Sequence, residues 1–125
     1  MEIPMQPKQS PLELVHMKPY STGLKKVYTN RFYKSLNHNF GVEMLIKNNT
    51  SRTQQIKIGG CVYDEANNTV VTWNKTVEIS AYNSLTQDFF VNEVTFSRMR
   101  EGRYSMQFWL NDAKVTKKYF TVALK

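Results

Sequence analysis

Residues 102–122, GRYSMQFWLNDAKVTKKYFTV, decide how the rest of the chain reads. Two strand-like runs flank Asn111-Asp112-Ala113, a short polar turn, and the stretch predicts an antiparallel hairpin. In the first run Tyr104, Met106, Phe108 and Leu110 recur at period two and predict one core-facing row, with Ser105 and Gln107 on the other side. In the second run Phe120 and Val122 supply the matching apolar face, and Lys118 shares their parity nearer the turn. The rest of the chain reads as the strands this hairpin needs around it.

Further strands follow on working outward. Phe40–Lys47 alternates cleanly, with Val42, Met44 and Ile46 facing in and Glu43 and Lys47 facing out. Gln54–Tyr63 carries Ile56 and Ile58 in phase. Its Gly59-Gly60 pair predicts a bulge or a close backbone approach, with a reset of phase before Val62. Asp64–Asn68 reads as a hairpin turn into Thr69–Trp73, followed by short strands at Lys75–Ile79 and Leu85–Val91. Nearer the start, Leu12–Met17 is a candidate first strand and Lys18–Gly23 a break. Leu24–Tyr33 is read as extended, although Leu24, Val27, Tyr28 and Phe32 also fit a helical stripe. Residues 1–11, with Pro4, Pro7 and Pro11 among polar residues, are expected to form a flexible lead to a domain spanning 12–125. The expected fold is therefore all-β: an antiparallel two-sheet sandwich of seven to nine short strands, immunoglobulin-like in pattern.

The totals set bounds on this reading. At 125 residues, with 41% apolar and 13% aromatic residues, the chain can bury one core without staples. A single cysteine, Cys61, excludes an intrachain disulfide and a cysteine-based metal cluster. No apolar leader is visible, and no run approaches the roughly 18 apolar residues of a membrane span. The net charge of +7 is unevenly spread. Residues 1–41 hold six Lys/Arg against two acids and residues 98–125 hold seven against two, while residues 42–97 hold four against six. If the first and last strands lie side by side, the two ends merge into a basic face suited to anionic partners; otherwise the excess keeps the domain soluble.

Glu101-Gly102-Arg103-Tyr104-Ser105-Met106 resembles the start of strand F in immunoglobulin-like domains, where an acid, a Gly, a Tyr and a Cys recur at this spacing. The resemblance implies that Tyr104 forms a tyrosine corner, its hydroxyl bonding back to a preceding backbone group. It also implies that Met106 and Met44 stand where that family places its two core cysteines. The family's strand-C Trp is missing, since Trp73 comes late and follows a turn. A fibronectin-III-like sandwich fits equally, and the last hairpin looks like that of accessory sandwich domains in bacterial surface proteins. Such likeness concerns a superfold and does not fix a function.

No stretch carries recognisable catalytic chemistry. Cys61 would need His16 or His38 as its base, and the histidines have no partner at metal-ligand spacing. The carboxylates form no motif, and P-loop, dinucleotide and Ca²⁺-loop patterns are absent. The four N-x-[ST] triplets starting at Asn48, Asn49, Asn67 and Asn74 read as turn residues. No catalytic residue, cofactor or metal is expected. Trp109 is expected to project outward beside Ser105 and Gln107, either covered by the N-terminal arm or open to a partner. Tyr119 and Lys117 extend that patch, and Arg98, Arg100 and Arg103 stand near the hairpin's start. The expected role is a non-enzymatic interaction or structural module within a larger assembly, such as a surface apparatus or virion, binding another protein or further copies of itself. Two alternatives are a carbohydrate site on Trp109 and Tyr119, and nucleic-acid binding by Arg98, Arg100, Arg103, Lys117 and Lys118.

Overall fold

The computed structural model describes residues 11–124. Most of the expected lead, residues 1–10, lies outside them. The described chain forms nine strands and one short helix. In order these are β1 (Leu12–Ser21), β2 (Val27–Tyr28), β3 (Arg31–Tyr33), β4 (Phe40–Asn48), β5 (Gln54–Tyr63), β6 (Thr69–Ile79), β7 (Ser84–Val91), α1 (Glu93–Arg98), β8 (Gly102–Leu110) and β9 (Ala113–Ala123). Two sheets, ordered β2-β1-β4-β7 and β3-β9-β8-β5-β6, pack into a sandwich.

The hairpin that decided the reading is β8–β9. Its turn is tighter than expected: Asn111 and Asp112 alone connect the strands, both at positive φ (46° and 68°). That is the backbone of a type I′ turn, which Asn and Asp tolerate better than other side-chain-bearing residues. Tyr104, Met106, Phe108 and Leu110 are all buried, as are Phe120 and Val122. The Tyr104 hydroxyl donates to the Arg100 carbonyl at 2.6 Å, the back-bond that the resemblance implied. Burial pushes its pKa up, and its ring stacks on Phe120 at 5.5 Å.

Opposite β8–β9, β4 contributes Phe40, Val42, Met44 and Ile46 to the core, and Met44 and Met106 both lie in it. Phe40 stacks on Phe32 at 4.3 Å and meets Phe120 and Phe96 at 5.2 and 5.8 Å, which closes one end with aromatic rings. Phe96 arrives on α1, whose first turn is capped by Asn92 accepting from the Thr95 N–H at 2.8 Å. Burying that one ring contributes roughly 1.5–3 kcal/mol.

Several local expectations need correction. The sandwich is not wholly antiparallel, because β3 pairs with β9 in parallel. The first strand does not break at Lys18: a bulge between Leu14 and His16 rephases it, so that Met17 joins the core, and pairing continues through Pro19 to Ser21. Leu24–Tyr33 is not one extended run but two short strands, one in each sheet. Thr69–Trp73 and Lys75–Ile79 are a single strand. The Gly59-Gly60 pair is no bulge, since Ile56, Ile58, Gly60 and Val62 keep one register with β6. The Trp73 indole lies across Gly60, where a Cβ would sit 2.4 Å from Nε1; the glycine permits that close approach.

A candidate interaction face

Strand alternation sets Arg103, Ser105, Gln107 and Trp109 on the outer face of β8. Their cross-strand neighbours extend that face over the sheet. Ser105 lies between Tyr63 of β5 and Tyr119 of β9, and Gln107 lies between Cys61 and Lys117. Trp109 pairs with the bare backbone of Gly59 on one side and, past a bulge at Phe108, with Lys114 on the other.

Ser105 and Gln107 are outward by register yet buried, because larger neighbours close over them. Gln107 meets this by donating its side-chain amide to the carbonyls of Thr116 (2.7 Å) and Phe108 (3.2 Å). Above Ser105 stands a compact cluster. The Arg103 guanidinium lies 4.1 Å from the centre of the Tyr119 ring, and Lys117 Nζ stands 5.8 Å from Tyr119 and 6.0 Å from Tyr63. Tyr119 is 49% exposed. Among the described residues neither Arg103 nor Lys117 forms a side-chain ion pair.

Of the six residues singled out in the sequence, Arg103, Lys117 and Tyr119 therefore meet. Trp109 shares their face, half-buried, four residues along β8 from the Tyr119 rung. At about 3.3 Å per residue that is about 13 Å, and the two rings do not touch. Arg98, the last residue of α1, and Arg100, on the α1–β8 connection, lie off the sheet. There they line a groove of about 440 Å³ with Arg103, Asp64, Glu65 and Glu101, so acids are interleaved with the bases. Lys118 points to the opposite side of β9 from Lys117. Tyr63 was not anticipated in the cluster; the expected phase reset at Gly59-Gly60 hid its parity with Lys57.

A second polar cluster was invisible in sequence. On the outer face of the other sheet, Glu43 accepts from Lys26 Nζ (2.7 Å), from the Tyr28 hydroxyl (3.0 and 3.1 Å), and shares a 2.8 Å contact with His16 Nε2. The Lys26 bond above all, then those from His16 and Tyr28, hold its carboxyl down at about 2. Beside it the Tyr20 ring covers Gly41, and burial, then the neighbouring Asp88, push its hydroxyl up to about 12. Because His16 is engaged there, it stands on a different sheet from Cys61, whose buried thiol lies 3.9 Å from the Thr69 hydroxyl. Among the described residues no group of three or more potential metal ligands gathers. No helix among them is long and apolar enough to cross a membrane.

No protein family model matches the chain, and no curated protein matches its sequence. Solved structures do match its fold. A β-glucosidase from Erythrobacter marinus superposes with a TM-score of 0.67 at 8% identity, over 90% of this chain and 15% of that one. An alkylpurine DNA glycosylase of Pseudomonas fluorescens bound to abasic-site DNA gives 0.64 at 8%, over 91% and 31%. A β-glucuronidase of glycoside hydrolase family 2 gives 0.61 at 12%, over 91% and 13%. The chain thus spans less than a third of each protein, and identities this low speak for the β-sandwich fold alone.

Proposed function

We propose that the chain is an immunoglobulin-like sandwich that works as a non-enzymatic protein-interaction module, with the outer face of β3-β9-β8-β5-β6 as its docking surface. The observation that carries this reading is the Arg103–Tyr119–Lys117–Tyr63 cluster. An exposed Tyr119 and a half-buried Tyr63 beside an arginine, on a regular strand lattice, match the composition enriched at the centres of protein interfaces. The two cations have no ion-pair partner among the described residues, which favours an acidic partner surface. Immunoglobulin-like character is supported by the Tyr104 back-bond.

The test compares the protein with an Arg103→Glu/Lys117→Glu variant. A partner captured by the protein is purified and titrated into both by calorimetry. The variant is expected to bind at least about tenfold more weakly while keeping its melting temperature. Equal affinities would remove this face from the interface. Retention on a glycan array that disappears in Trp109→Ala would support the carbohydrate alternative instead.

A further inference from the structure

The sheets end in β2 and β7 and in β3 and β6; β2 and β3 span only two and three residues, so most of the outer side of β1 and β9 stays open, and β1, β9 and β6 each carry features that resist pairing with another chain. On β1 the bulge between Leu14 and His16 and the missing N–H of Pro19 break the row of bonding groups. The free part of β9 carries Lys114, Lys117 and Lys118, on both of its faces. On β6, Lys75 sits at an inward-facing position opposite Ile58, where a charge opposes a second sheet edge closing over it. The fourth edge, β7, has none of these. Its sequence, Ser-Leu-Thr-Gln-Asp-Phe-Phe-Val, contains no Lys, Arg, Pro or Gly, and it holds an unbroken eight-residue register with β4.

The side chains along that edge are also unfinished. On the inner face Leu85 and Phe89 are only half-buried, at the flank of the sandwich where Trp73 stacks on Phe89 at 5.1 Å. On the outer face Phe90 is 55% exposed and meets the Tyr20 ring edge-on at 6.3 Å. Asp88, with a third of its side chain open, has Lys26 at 3.7 Å, while that lysine bonds Glu43 at 2.7 Å. The Gln87 side chain folds along the strand to donate to the Asp88 carbonyl at 3.0 Å.

We infer that the edge of β7, unpaired among the described residues, receives an extended segment of a partner protein, one that alternates apolar side chains with basic ones. The partner's backbone completes the ladder of β7. Its inward apolar residues cover Leu85 and Phe89, and an outward Lys or Arg stands beside Asp88. This edge belongs to the sheet opposite the Tyr119 face, so the inference stands independently of that reading.

The probe is an acetylated, amidated octapeptide alternating valine and lysine, titrated into the ¹⁵N-labelled protein. Shifted amide resonances are expected along residues 84–91, with those of β6 and β9 unmoved. Methylating alternate backbone nitrogens of the peptide should abolish binding, since it removes donors without changing side chains. Gln87→Lys, which places on β7 the inward lysine that β6 already has, should weaken binding at least about tenfold. Arg103→Glu/Lys117→Glu should leave it unchanged, which separates this result from the fate of the other face. Shifts centred on β6, β9 or β1, undiminished binding of the methylated peptide, or no binding at all would overturn the inference. A concentration-dependent dimer dissociated by Gln87→Lys would overturn the assigned occupant in favour of a second copy of the chain.

Discussion

Asn48 shows how much a single polar residue can hold. Fully buried at the end of β4, it donates from Nδ2 to the carbonyls of Arg52 (2.8 Å), Ile79 (2.9 Å) and Ser80 (3.2 Å). Its Oδ1 accepts from the N–H and hydroxyl of Thr50. One side chain thus ties the β4–β5 connection to the β6–β7 connection. Asn48→Ala would leave several of these groups buried without partners, at a cost of about 2–4 kcal/mol. Urea denaturation should show this as a lower midpoint with an unchanged slope. The turn itself was legible in Asn48–Ser51, but the burial was not, because two of the partners lie more than thirty residues away. Tyr104 is the opposite case: its partner Arg100 is four residues back, and the resemblance carried by residues 101–106 implied a bond to a preceding backbone group without naming which.

At the level of elements, the segment from Thr22 to Asn30 is held across the first sheet by Glu43, which receives both Lys26 and Tyr28 from it. The carboxyl's pKa is held down, from 4.5 to about 2, so the folded state favours its charged form. The resulting stability is fully present above the unfolded pKa and is lost as pH falls from there toward about 2. Glu43→Gln should therefore lower the melting temperature at neutral pH, by an amount equivalent to about 1–2 kcal/mol after allowance for solvent screening. The two melting curves should converge between roughly pH 4 and 2. A constant gap across that range would show that packing, not charge, ties this segment down. Alternation told that Glu43 faces out from β4; nothing in it told that Lys26 and Tyr28 come to meet it. The same limit concealed the split of residues 24–33 between β2 and β3. Two- and three-residue strands carry too few alternations to register, whereas the rows on β4 and β8 are long enough to be read directly.

Across the whole molecule, nearly every strand pairing other than β8–β9 and β5–β6 joins residues distant in sequence. Chain closure must precede most of the stabilising contacts, so refolding should occur in milliseconds to seconds rather than microseconds. Stopped-flow tryptophan fluorescence can follow it, since Trp73 of one sheet stacks on Phe89 of the other only once the two sheets have met. A microsecond phase carrying the full amplitude would contradict this ordering. The sandwich as a class was legible because period-two rows recur along the chain. The candidate face was legible in part: Arg103, Tyr119 and Lys117 share parity across one hairpin, while Tyr63 joins them only through the β5–β8 register.

The parallel pairing of Arg31–Tyr33 with Thr121–Ala123 also determines how the fold bears mechanical load. Tension along the chain reaches β3 from its N-terminal side and β9 from its C-terminal side. In parallel neighbours those pulls slide one strand along the other, so the bonds between them are sheared together instead of parting one at a time. The shortest ladder in the second sheet is thus arranged to resist stretching between the two ends of the chain.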